Sequence, residues 1–335
     1  MEKVKLIDVA KKAGVSKSTA SQYINGRYEY MSEKTREKLR LAIEELDFIP
    51  NPIARNLKAG KTNTIGIVVK SISGVVTSQI IRSMDDYFKK LNYSVIIYNT
   101  DYIKEQELKS ISILKSMRVD GLIITSSGEI SKELNAEEAN GLPIVHILRE
   151  FNDLSVNTVL SDYLKGSEMA GDYLASLGHS NIAIITKPYN NSPSRVNRVN
   201  GCINALNKAN ISVDESHIGF LDDNSKIGEV FDQLNNQNPS PTVIFSMFSD
   251  ITIALLHHFK TNNISIPEDI QVITFDDFTL AELLRTPLTA IHQNPIELGK
   301  ASAKLLVEKI NNPTKSFESI TLPCDLIIRE STKKI

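Results

Sequence analysis

Apolar positions in the first fifty residues fall into two short helical stripes separated by a glycine. Leu6, Val9, Ala10 and Ala13 share one face, and Val15, Thr19, Ala20, Tyr23 and Ile24 share another. Gly14 between them suits the left-handed residue that ends a helix, and Ser16 suits the N-cap that starts the next. Two helices so joined form a helix-turn-helix, whose second helix fits the major groove of DNA; an ordinary helical hairpin would show the same stripes. A third helix is predicted behind Ser32, with Leu39, Ile43 and Leu46 at helical spacing. Asn51 as N-cap and Pro52 in the first turn then open a short segment through Leu57. So short a helix is marginal alone and is expected to form against DNA.

From residue 64 the grammar changes. Residues 58–63 are polar and read as a linker. Short runs rich in β-branched residues follow at 65–69, 95–98, 121–124, 144–147, 182–185, 242–245 and 270–273. They suggest strands buried on both faces. Helical patterns intervene, as at Ile80, Ile81, Met84 and Phe88. Strand alternating with helix over this length predicts parallel α/β sheets with right-handed crossovers. Ligands of such sheets lie beyond the carboxyl ends of the strands, so functional residues should fall just after these runs.

The longer pattern is specific. Asp8-Val9-Ala10, Ala13-Gly14-Val15-Ser16, Ser18-Thr19, Asn25-Gly26, Ser32, Thr35-Arg36, Pro50-Asn51, Ala54-Arg55 and Leu57 lead into Thr62-Asn63-Thr64-Ile65-Gly66-Ile67. Together they resemble the lactose/galactose repressor (LacI/GalR) family, over nearly the whole chain. The resemblance implies an N-terminal all-α helix-turn-helix head on an α/β, two-lobed, periplasmic-binding-protein-like core of parallel sheets. The expected domains are a DNA-binding head at 1–50, a hinge helix and linker at 51–63, and an effector-binding and dimerisation core at 64–335. One lobe would span about 64–160 and 291–320, the other about 161–290 and 321–335, with three crossings.

Residues near the start of a recognition helix reach base edges, and the resemblance carries base contact onto Lys17, Ser18 and Gln22. Lys17 can donate to guanine, and Gln22 can pair with adenine; family members often carry arginine at the latter position. Ser16, Thr19, Asn25 and Ser32 suit phosphate contacts, with helix capping as the plainer role. In the family, the position of Leu57 wedges into the minor groove. Ala54 would then allow close approach, while Arg55 and Lys58 hold phosphates. The turn Gly26-Arg27-Tyr28-Glu29-Tyr30-Met31 is longer and more aromatic than the family pattern.

For the effector, the resemblance points to Ser73, Thr77, Arg149, Arg195, Arg198, Asp250 and Asp276. Arginine with aspartate suits polyhydroxy ligands; the plainer roles are a salt bridge between Arg198 and Asp276 and an N-cap for Asp250. Departures from the family change the picture. Val76-Thr77 stands where an aromatic pair is usual, Ser249-Asp250 replaces Asn-Asp, and Leu148 replaces an aspartate. Loss of negative charge beside Arg149, Arg195 and Arg198 favours an anionic ligand, a sugar acid or sugar phosphate, over a neutral carbohydrate.

Net charge, −2 over 335 residues, hides an asymmetry. Residues 1–61 carry 13 Lys and Arg against 8 Asp and Glu, leaving 25 against 32 in the rest. A basic head fits a partner made of phosphates. Two cysteines, Cys202 and Cys324, make neither a metal site nor a disulfide framework, and the six histidines do not cluster. Phosphate loop, nucleophile elbow and dinucleotide fingerprint are absent, so neither an enzyme nor a cofactor or metal is expected. No apolar run spans a membrane, and Met1-Glu2-Lys3-Val4-Lys5 lacks a signal-peptide core, so the expected location is cytoplasmic. Ser331-Thr332-Lys333-Lys334-Ile335 lack heptads. The expectation is a homodimeric repressor of carbohydrate-related genes on a pseudo-palindromic operator, released by its effector. A corepressor-dependent regulator and a soluble sugar-binding protein without a transcriptional role are the alternatives.

Overall fold

A computed structural model of the chain describes residues 4–48, 61–190, 192–278 and 280–335. It divides into two compact units, Met1–Asn63 and Thr64–Ile335.

Among its described residues, the first unit packs three helices, α1 (Leu6–Ala13), α2 (Lys17–Ile24) and α3 (Glu33–Glu45). The sequence specifies each boundary locally. Gly14 ends α1 at φ 65°, in the left-handed region. Ser16 Oγ accepts from the Thr19 amide at 3.1 Å, and Ser32 Oγ from that of Thr35 at 3.3 Å, each satisfying an amide that the helix leaves unpaired. Val9, Ala10, Ala20, Leu39 and Ala42 form the core. Within the long turn, Arg36 donates to the Tyr28 carbonyl at 2.8 Å and stacks 4.7 Å from that ring, which meets Tyr23 edge-on. Tyr30 at the tip is 98% exposed.

The second unit contains two six-stranded sheets. One holds β1 (Thr64–Val69), β2 (Ser94–Asn99), β3 (Gly121–Ile124), β4 (Ile144–Ile147), β5 (Asn157–Ser161) and β11 (Ser319–Leu322), ordered β11-β5-β4-β3-β1-β2 and wholly parallel. The other holds β6 (Ile182–Thr186), β7 (Ile218–Phe220), β8 (Val243–Ser246), β9 (Gln271–Phe275), β10 (Thr289–His292) and β12 (Asp325–Ile327), ordered β12-β10-β9-β8-β6-β7. Only its edge strand β12 runs antiparallel, against β10, so this sheet is mixed rather than purely parallel.

Each sheet is covered on both faces, which is why its central strands are continuous apolar runs. On the first sheet, α4 (Val75–Lys90) and α11 (Pro295–Asn311) share one apolar cluster, and α5 (Lys104–Ser116) and α6 (Ser131–Ala139) the other. On the second, α7 (Tyr163–Ser176) and α8 (Pro193–Lys208) cover one face, and α9 (Ile227–Asn235) and α10 (Ser249–Asn262) the other. The chain passes between the sheets after β5, after β10 and after β11. Two of these crossings lie later than the expected boundaries at 291 and 320. Ile291 and His292 pair with β12 in the second sheet, and Thr321 and Leu322 still pair with β5 in the first.

Candidate functional site

Strand ends place the charged groups of the second unit. Lys70 follows β1, Arg149 lies two residues beyond β4, Lys187 follows β6 and Asp276 follows β9; Arg195 and Arg198 occupy the start of α8. All six line one cavity of about 180 Å³. Three of its lining residues hold left-handed backbone without being glycine, Tyr102 at φ 61°, Leu148 at φ 67° and Asp276 at φ 90°. Each such residue costs roughly 1–3 kcal/mol and persists only where its surroundings fix it. The Leu148 carbonyl accepts from Tyr163 Oη at 2.8 Å, and the Asp276 amide donates to the Ile291 carbonyl at 3.0 Å.

Arg198 is 6% exposed. Its guanidinium lies 4.1 Å from the Phe275 ring and 4.6 Å from those of Tyr163 and Phe248. Nη1 donates to the Met247 carbonyl at 2.6 Å and stands 3.8 Å from Asp276 Oδ1. Gln293 donates to the same carboxylate oxygen and accepts from Ser161 Oγ at 3.0 Å. Burial pushes the Asp276 carboxyl above its ordinary range, against the opposing pull of Arg198 and Gln293.

Arg149 is held as firmly. Its Nη1 donates to the carbonyls of Ser126 and Ser127, each at 2.9 Å, and its plane lies between the rings of Tyr102 and Phe151. Behind it, His146 Nδ1 bonds the Arg149 carbonyl at 2.9 Å, and Nε2 accepts from the Ser126 amide at 3.2 Å. Burial pushes this imidazole down to about 3, so it is neutral, with its proton on Nδ1. Fully buried Glu107 fastens Ser127 through the amide at 2.7 Å and the hydroxyl at 2.9 Å.

Like charges crowd the cavity. Burial lowers the Lys70 ammonium, and Lys187 and Arg195 add to the shift. Burial also lowers Arg195, helped by Arg149 and Arg198. Arg149 Nε and Ser192 Oγ are buried with no partner, and both residues line the cavity. A buried polar group left unpaired costs about 1–3 kcal/mol.

Five of the seven expected effector residues line the cavity: Thr77, Arg149, Arg195, Arg198 and Asp276. Ser73 and Asp250 do not. Ser73 Oγ is bonded to Ser71 Oγ at 2.7 Å. Asp250 pairs with Lys187, and it caps nothing, because Phe248 is the N-cap of α10. Lys70, Lys187, Tyr102, Phe248, Ser192 and Gln293 were not foreseen, though Lys70 and Lys187 obey the strand-end rule. Nor has the cavity lost its aromatic groups: Tyr102 and Phe248 replace the missing pair, each facing an arginine.

In the first unit, Lys17, Ser18 and Gln22 are exposed on α2. Ser16 and Ser32 act as caps, with the Thr19 hydroxyl 2.8 Å from Ser16 Oγ. Asn25 Nδ2 donates to the Ser21 carbonyl at 2.6 Å. Ala54, Arg55, Leu57 and Lys58 lie outside the described residues. Among the described residues, no helix is long and apolar enough to cross a membrane.

Comparison with known proteins covers both units. Residues 5–51 match the family described as bacterial regulatory proteins, lacI family. Residues 62–330 match periplasmic binding proteins and sugar binding domain of LacI family. The helix-turn-helix transcriptional regulator EndR of Paenibacillus polymyxa is 38% identical, over 94% of this chain and 93% of its own length. The transcriptional repressor PurR of Vibrio atlanticus is 30% identical over 98% of each. Among solved structures, the Lac repressor dimer bound to operator and the anti-inducer ONPF is 26% identical, with a TM-score of 0.85 over 99% of this chain and all of that one (100%).

Proposed function

The chain belongs to the lacI family of bacterial regulatory proteins, as a helix-turn-helix transcriptional repressor with an effector-binding domain, and from that premise we propose that its effector is an anionic carbohydrate. One observation carries the reading. Lys70, Arg149, Lys187, Arg195 and Arg198 line the cavity; Lys187 pairs with Asp250 and Arg198 with Asp276, the one carboxylate in the lining, so the cations exceed the carboxylates by three. Lys70 and Arg149 come from the first sheet's strand ends, and Lys187, Arg195 and Arg198 from the second sheet's side, so like charges oppose each other across the cleft. A carboxylate or phosphate between them relieves that repulsion, and Asp276 is left to accept from a ligand hydroxyl.

Binding then favours closure of the two lobes, which lowers operator affinity. The chain acts as a dimer in the cytoplasm, with two heads on a pseudo-palindromic site. Lys17, Ser18 and Gln22 read bases; Ser16, Thr19, Asn25 and Ser32 meet phosphates. Asn25 donates through Nδ2 to the Ser21 carbonyl and hydroxyl, and Leu57 supplies the minor-groove wedge. Coupling is reciprocal: operator weakens effector binding by the factor by which effector weakens operator binding.

The test is thermal stabilisation of the full chain by neutral hexoses, hexuronic and aldonic acids, and hexose phosphates. Ligand at a hundred times Kd stabilises by about 2.7 kcal/mol, readily seen as a rise in Tm. The acids or the phosphates should stabilise and then weaken the gel shift of an operator duplex. Stabilisation by neutral sugars and by no anion would overturn the proposal.

A further inference from the structure

We infer that the effector is longer than one sugar: an anionic unit lies between the sheets, and a second, neutral, hydroxylated unit fills a separate outer chamber. The inference rests on the anionic reading above.

A second cavity of about 650 Å³ adjoins the first and shares Tyr102, Arg149 and Arg195 with it. These three residues form the junction. Beyond them the chemistry reverses. The inner cavity gathers cations, whereas the outer one is lined by Glu129 and Asp153, with Asn152, Asn190 and the Phe151 ring. Among the described residues, the side chains of Glu129, Asn152, Asp153 and Asn190 make no hydrogen bond or ion pair. Amides and carboxylates beside an aromatic face are the groups that hold a sugar's hydroxyls and its apolar ring face. Two carboxylates in the outer chamber also disfavour a second anion there, so the ligand is acidic at one end only.

The outer chamber is built into the fold. Phe151 packs edge-on against His146, with ring centroids 5.5 Å apart. It also covers Gly128, where a Cβ would fall 2.3 Å from the ring and the backbone sits at φ +97°. The Gly128 amide donates to Ser126 Oγ at 3.0 Å. Asn135 ties down the facing loop, donating to the Asp153 carbonyl at 2.8 Å and accepting from the Ser155 amide at 2.7 Å. Arg149, common to both cavities, is held there by its Nη1 bonds to the Ser126 and Ser127 carbonyls.

Calorimetry on the full chain tests this with matched ligands. The set is a hexuronic acid and a hexose 6-phosphate, each alone and each carrying a 1→4-linked neutral hexose, together with the neutral disaccharide cellobiose. The acid type that binds identifies the anion. Its extended form should bind at least about tenfold more tightly. Asn152→Ala with Asn190→Ala should abolish that gain and leave the single-unit ligand unchanged. Equal affinity of short and extended forms, or equal weakening of both by the double variant, would overturn the two-chamber ligand and leave the anionic reading intact. Binding of cellobiose, with none of the anions bound, would instead remove the premise.

Discussion

Replacing Arg198 with methionine should cost the effector unit stability, by an amount that depends on Asp276. The two residues are 6% and 7% exposed, with Nη1 3.8 Å from Oδ1. At an effective dielectric of about 20, that separation corresponds to roughly 4 kcal/mol of attraction. Removing one partner of a buried pair costs about 3–5 kcal/mol, because the other charge stays buried and uncompensated. Methionine keeps the contact with Phe275, Tyr163 and Phe248, so the expected loss is about 3 kcal/mol. Asp276→Asn should cost less, since Arg198 keeps its three rings and the Met247 carbonyl. The double variant buries no charge, so the two losses should overlap by about 2 kcal/mol. The pH dependence has a definite sign. Burial already raises the Asp276 carboxyl, and losing Arg198 raises it further. A carboxyl raised in the folded state stabilises at low pH and loses that contribution as pH rises through its folded pKa. The Arg198→Met deficit should therefore shrink from pH 7 to pH 5. Urea unfolding of the four-protein cycle at both pH values measures all of this. A deficit below about 1 kcal/mol, strict additivity, or a deficit that does not change with pH would each refute the reasoning.

Two further outcomes follow from buried groups. His146 is pushed down to about 3 from an ordinary 6.5, so below pH 6.5 the unfolded chain takes up a proton that the folded one refuses. This residue alone should remove about 2 kcal/mol of stability between pH 7 and pH 5. Glu107, Glu138 and Asp276, raised by burial, act with the opposite sign, so the measurement is the difference in pH slope between wild type and His146→Gln. An identical slope would contradict the assignment. Gly201→Ala should destabilise by about 3 kcal/mol, because its Cβ would fall 2.2 Å from the Leu164 carbonyl and 2.8 Å from Ser167 Cβ, forcing α7 and α8 apart. Gly141→Ala, where nothing lies within 4 Å, meets only the backbone strain of φ +93° and serves as the comparison in a denaturant melt.

Much of this protein was legible because the causes are local. Gly14, Ser16 and Ser32 set helix ends through interactions within four residues, so α1, α2 and α3 follow from sequence alone. Central strands such as β1, β3 and β8 are buried on both faces and announce themselves as unbroken apolar runs. The strands that escaped notice were β5, β7, β10, β11 and β12. Of these, β7, β11 and β12 are edges of three or four residues with exposed positions, and β5 and β10 are short segments interrupted by Asn, Thr, Ser or His. Their pairing comes from partners far along the chain, as when Ser319 meets Thr158, and no local pattern encodes it.

The cleft divides in the same way. Residue type, strand end and family pattern together pointed to Arg149, Arg195, Arg198, Thr77 and Asp276. Only the tertiary structure could show that Lys187 takes Asp250 for itself and that Ser71 occupies Ser73. It alone brought Tyr102 and Phe248 to the arginines, and it alone set the cations of one sheet against those of the other. A sequence dictates which groups a chain carries and how each short segment turns. Which of them stand within a few ångströms, and so which charges are neutralised and which await a ligand, depends on how the chain crosses between its two sheets.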